Sequence, residues 1–156
     1  MGGNLDFYTS HADADLAWRG LKPPTSRRIG FFPASEMAER LGATANLLLL
    51  TASFDPADRV HESTLFPSKT ADYTAVGLPI LVWGPAYSSA ARWAAENPGA
   101  TLLFTDPDPA PVERAIRRIH ADATEAAQLA AAAIAAGKRY FELSISRDLL
   151  YRALVR

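Results

Sequence analysis

Residues 66–81 read Phe66-Pro67-Ser68-Lys69-Thr70-Ala71-Asp72-Tyr73-Thr74-Ala75-Val76-Gly77-Leu78-Pro79-Ile80-Leu81. The stretch opens as a loop, becomes a short amphipathic helix from Ser68-Lys69, breaks at Gly77-Leu78-Pro79 and enters an apolar strand. A helix start gathers free N–H groups and the positive end of the helix dipole, so it favours an anion such as phosphate. Here it also carries a hydroxyl and an ammonium group. Asp72 follows Ser68 by four residues and shares its helix face one turn further in. A phosphate-binding end with a carboxylate one turn away suits a diphosphate joined to a ribose. The plainer alternative is a capping serine beside a solvated lysine. A Lys69–Asp72 pair, worth about 0.2–0.5 kcal/mol, does not account for the pattern.

Outward from this stretch, apolar β-rich runs alternate with helical patterns. Strands are expected at Leu5 to Ser10, Ile29 to Phe32, Asn46 to Thr51, Ile80 to Trp83 and Thr101 to Thr105. Helices are expected at Ala12 to Gly20, Ser35 to Leu41 with a stop at Gly42, Ser68 to Val76, Ser88 to Glu96 and Pro111 to Ala121. A long helical region then continues to Lys138, and Ser146 to Val155 forms a last helix. Ser53 to Phe66 reads as a polar loop, and Pro23-Pro24 breaks any helix. Strands separated by helices of this length imply a parallel sheet covered on both faces, an α/β Rossmann-like three-layer domain. Ligands in such sheets bind at the carboxyl ends of the strands.

The bulk numbers narrow the classes. The chain has 156 residues, suiting a single domain spanning 1–156, with 49% hydrophobic and 21% charged residues, a globular balance. A net charge of −1 gives no reason to expect a nucleic-acid partner. The absence of cysteine removes disulfides and thiol catalysis and fits a reducing, cytoplasmic compartment. No run is apolar and long enough to span a bilayer. Met1-Gly2-Gly3-Asn4 lacks a signal-peptide core and reads as an expression start or a truncation point.

Phe66 to Leu81 resembles the nucleotide-sugar-binding element of the group 1, family 4-like, retaining glycosyltransferases of the GT-B fold. There a Pro-Ser-Lys or glutamate-containing loop precedes a helix with an acidic residue, then Gly-x-Pro and a strand. Arg28-Ile29-Gly30-Phe31-Phe32-Pro33, Ser35-Glu36-Met37 with Leu41, and Ala45 to Leu50 resemble the family's preceding strand, glycine loop, helix and apolar strand. The resemblance implies one half of a GT-B fold, the donor-binding domain, as a fragment of a longer two-domain protein. It implies a UDP- or GDP-sugar donor and transfer with retention to a glycan or lipid-linked acceptor. By that likeness Ser68 and Lys69 face the diphosphate, Lys69 being the catalytic candidate. Asp72 holds the ribose hydroxyls, and Gly30, Phe31 and Phe32 border the nucleobase. The family typically needs no bound metal and no further cofactor. The acceptor site belongs to a missing N-terminal domain, and the full-length protein is compatible with peripheral membrane attachment. The chain departs from the family's better-known pair of glutamates with seven residues between them: Asp72 takes the second position, Thr64 the first, and Glu62 is out of register.

His61 and Glu62 lie in the long loop, where His61 could donate to a phosphate or sugar or stand exposed in solvent. His11 and His120 show no metal-ligand spacing. Trp83 and Trp93 sit in periodic segments and read as core or interface. Two rival readings share the architecture. A nucleotide-sugar epimerase would need further acids and histidines in the cleft. A non-catalytic partner-binding module would expose an apolar patch near Trp18 or the terminal helix.

Overall fold

The computed structural model describes residues 3–13, 17, 21 and 24–155. The chain forms two compact units, Met1–Met37 and Ala38–Arg156. It is an α/β fold whose strand pairs, among the described residues, are all parallel.

In the first unit β1 (Leu5–Phe7) pairs in parallel with β2 (Ser26–Arg28), Leu5 opposite Ser26 and Phe7 opposite Arg28. The expected strand at Ile29–Phe32 is therefore corrected: pairing ends at Arg28, and Gly30 takes a left-handed φ of 107° that an extended strand cannot continue through. Two ion pairs accompany this pairing. Arg27 reaches both carboxylate oxygens of Asp6 at 2.8 Å, and the Arg28 guanidinium donates to Asp13 at 2.6 Å. The helix expected over Ala12 to Gly20, with Trp18, lies mostly outside the described residues.

The first described helix, α1 (Ala34–Thr44), runs through the stop expected at Gly42. Gly42 does not take the positive φ of a terminating glycine, and the Thr44 hydroxyl donates to the Arg40 carbonyl instead.

The second unit holds β3 (Leu48–Thr51), β4 (Ile80–Trp83) and β5 (Leu102–Phe104), ordered β3-β4-β5. Leu48 stands opposite Ile80, and Leu81 opposite Leu102. Neighbouring side chains of a strand point to opposite faces. Ile80, Leu81 and Val82 are nevertheless all at most 1% exposed, so both faces of the central strand are covered. This is the three-layer, Rossmann-like arrangement, and it explains why β4 reads as a continuous apolar run.

Around the sheet stand α2 (Arg59–Thr64), α3 (Lys69–Val76), α4 (Ser89–Glu96), α5 (Pro109–Ala121), α6 (Ala123–Phe141) and α7 (Leu143–Leu154). Their ends follow local chemistry. Gly77 stops α3 at φ 81°, and Ser88, Asp108 and Asp122 accept N–H bonds as caps of α4, α5 and α6. The alanine-rich α6 packs closely on α3: a Cβ built on Gly137 would fall 2.5 Å from the Thr74 hydroxyl.

The expected loop from Ser53 to Phe66 is a second correction, since it contains a 3-10 turn (Pro56–Asp58) and then α2. Asp55 starts the turn by accepting from the Ala57 N–H at 2.9 Å. Neither piece buries a residue, so no apolar periodicity announced them.

Candidate functional site at the carboxyl end of β3

A cleft of about 230 Å³ opens where β3 meets the start of α3, lined by Leu49, Leu50, Thr51, Pro67, Ser68 and Lys69. It lies at the carboxyl end of a parallel strand, the edge where doubly wound sheets place ligands. Leu48 and Ala52 donate their N–H groups to Pro79 and Trp83 of the neighbouring strand. In a parallel ladder the alternate residues Leu49 and Thr51 then turn their main-chain groups away from β4. The cleft wall therefore offers polar backbone as well as side chains.

Ser68 stands at the capping position of α3 with φ −56° and ψ −30°, and its side chain makes no capping hydrogen bond. A capping serine normally has an extended backbone and spends its oxygen on an N–H of the first turn. Here the Thr70 and Ala71 N–H groups instead close onto the Pro67 and Ser68 carbonyls at 3.0 and 3.2 Å. The Ser68 hydroxyl and the Lys69 ammonium are exposed beside the cleft. Thr70, one residue on, points inward: it is fully buried, and its hydroxyl has no hydrogen-bond partner.

The structure brings Ser68 and Lys69 together on one cleft, whose lining does not include Asp72, His61 or Glu62. Asp72 is exposed in the first turn of α3 and is not among the cleft-lining residues. Burial raises the neighbouring Tyr73 phenol above its ordinary pKa, and the Asp72 charge adds to that shift. His61 is exposed on α2. Glu62, on the same helix, accepts the Ser53 N–H at 3.0 Å and so ties α2 to the chain leaving β3. Gly30, Phe31 and Phe32 belong to the first unit, where the Phe32 ring lies tilted against Tyr8 with centres 6.2 Å apart and Phe31 is 72% exposed. Among the described residues no group of three His, Asp or Glu side chains is placed to hold a metal ion, and no helix is long and apolar enough to cross a membrane.

Sequence reasoning missed the residues of α4 that hold the approach to the cleft. Arg92 donates to the carbonyls of Tyr87 and Ser63 at 2.6 and 2.8 Å, and the Ser89 hydroxyl donates to the Leu65 carbonyl at 2.6 Å. The Arg59 guanidinium sits 4.6 Å from the centre of the Tyr87 ring, linking α2 to the loop after β4. The available signal was the spacing of Ser89, Arg92 and Trp93 on one helix face; their partners are main-chain groups and Phe66, which spacing does not name. No family model matches this chain, and no curated protein matches its sequence.

Proposed function

We propose that this chain is the donor-binding domain of a retaining GT-B glycosyltransferase and takes a UDP- or GDP-sugar. One observation carries the reading: Ser68 and Lys69 line a single cleft at the carboxyl end of a parallel strand, and the Ser68 hydroxyl is not spent on capping its helix. In this reading the hydroxyl and ammonium hold the diphosphate. Lys69 stabilises the negative charge that develops on the diphosphate as the glycosidic bond to the donor breaks. Asp72 accepts from the ribose hydroxyls, and exposed His61 stands on α2, ahead of the Pro67-Ser68-Lys69 turn. The acceptor hydroxyl, on a glycan or a lipid-linked glycan, is held by a partner domain, so the chain alone binds donor and transfers little. Cytoplasmic placement and peripheral attachment of the full-length protein belong to this proposal.

The test is selective weakening. Asp72→Ala is expected to weaken UDP or GDP by about tenfold, the size of one hydrogen bond to a charged group, and to leave pyrophosphate unchanged. Calorimetric titration checks it; equal weakening of both ligands removes Asp72 from the ribose. A second reading, a partner-binding module, draws on α7, where Leu143, Leu150, Tyr151 and Leu154 are 59–80% exposed. It predicts no response to any nucleotide.

A further inference from the structure

The six residues of α2 bury no side chain. A helix that short is not stable in water on its own, so something outside it must hold it. Its last carbonyls have no intrahelical partner and must find one elsewhere. The His61 carbonyl receives the Leu65 N–H at 2.9 Å, while within the helix the Ser63 and Thr64 hydroxyls fold back on the Val60 carbonyl at 3.0 and 2.7 Å. The Ser63 carbonyl receives Arg92, and the Leu65 carbonyl receives Ser89. Phe66 then packs edge-on against Trp93, with ring centres 6.5 Å apart. Ser89, Arg92 and Trp93 are spaced i, i+3 and i+4, so they share one face of α4. That face engages Ser63, Leu65 and Phe66 in turn, and the following residues are Pro67, Ser68 and Lys69.

We infer that α4 positions the cleft: the face formed by Ser89, Arg92 and Trp93 fixes the chain that delivers Ser68 and Lys69 to the carboxyl end of β3. The inference rests on the reading of that cleft as the diphosphate site, and it makes Arg92 and Ser89 positioning residues that touch no ligand. Arg92 suits the role because its planar fork donates in two directions at once, here to Ser63 and Tyr87. Lysine keeps the charge but offers only a point donor. The fork also places a cation at the carbonyl end of α2, where the helix dipole is negative.

Hydrogen exchange and ligand titration on the full chain test it, using wild type, Arg92→Lys, Ser89→Ala, Lys69→Ala and the double variant Arg92→Lys/Lys69→Ala. Without ligand, each single α4 variant is expected to speed amide exchange at residues 65–70 by about fivefold, the loss of one hydrogen bond, with β4 amides unchanged. With pyrophosphate as the probe, Arg92→Lys weakens binding, and the loss in the double variant is smaller than the sum of the two single losses, because part of the Arg92 effect acts through Lys69. Unchanged exchange at 65–70, equal acceleration in β4, or losses that add in the double variant would each overturn the positioning role. Wild-type chain that binds neither pyrophosphate nor nucleotide overturns the diphosphate reading instead, and the exchange result then decides the positioning role alone.

Discussion

The segment from Ser53 to Lys69 and the terminal helix α7 make opposite use of their residues. The segment is largely polar, and neither its 3-10 turn nor α2 buries a side chain, yet it is held by Asp55, Glu62, Ser89, Arg92, the Arg59–Tyr87 contact and the rings of Phe54 and Phe66. The terminal helix is rich in leucine, yet it leaves Leu143, Leu150 and Leu154 mostly in solvent. Apolar content alone therefore does not decide which region is fixed. Main-chain groups that find side-chain partners help fix the first, while the second leaves the apolar side chains of Leu143, Leu150 and Leu154 in solvent.

Four changes break or sharpen this contrast. The largest effect is expected from Gly84→Ala, at the turn after β4. An added Cβ would lie 2.5 Å from the Ala52 Cβ and 3.1 Å from its nitrogen, where neither neighbour is a flexible side-chain tip. The cost is about 1–3 kcal/mol, read as a lower urea midpoint. A neutral result would show that the two strand ends are further apart than described. Next comes Glu62→Ala, which leaves the Ser53 N–H without its acceptor and costs about 1 kcal/mol, or about 2–4 °C in Tm. Glu62→Gln, which retains an oxygen acceptor, should recover most of it. Leu150→Glu on α7 is expected to change stability by less than about 0.5 kcal/mol, because Leu150 is 59% exposed. A loss above about 1 kcal/mol would mean that the helix is packed and the contrast is wrong.

The smallest effect concerns pH. The folded-state pKa of Tyr73 is raised above its ordinary 10.0, by burial first and by Asp72 second. The folded chain thus holds this proton more tightly than the unfolded chain. The contribution to stability is complete below pH 10 and is lost as pH rises through the folded pKa. Melting curves from pH 9 to 11 should show a shallower alkaline decline in Tyr73→Phe than in wild type; parallel curves would remove Tyr73 as a source of the decline.

The same contrast marks what could be read from the chain. β4 was legible residue for residue, Ile80 to Trp83, because a strand buried on both faces must be apolar throughout. The glycine stop of α3 was legible because Gly77 acts through local backbone chemistry, and the start reads at Ser68-Lys69 although Ser68 makes no cap bond there. The 3-10 turn was not legible, since its local Asp55-Pro56 start carries no apolar periodicity. Nor was the end of α2, since it is held by long-range side-chain bonds from α4 to main-chain carbonyls, and the sequence does not encode which carbonyl accepts. β2 was displaced for a related reason: its Ser26-Arg27-Arg28 is charged and held by Asp6 and Asp13 across the sequence. Of the candidate site, the Ser68–Lys69 pair was visible as a helix start, whereas Arg92 was not, because nothing local to it announces a two-carbonyl clamp.

The central claim is that Ser68 and Lys69 bind a nucleoside diphosphate. Thermal unfolding of wild type and Lys69→Ala with UDP, GDP, ADP and pyrophosphate tests it most directly. The account predicts that UDP or GDP, at about 100 times its dissociation constant, stabilises wild type by about 2.7 kcal/mol and that Lys69→Ala abolishes the shift. Unchanged melting of wild type at millimolar concentrations of all four, or an equal shift in Lys69→Ala, would contradict it.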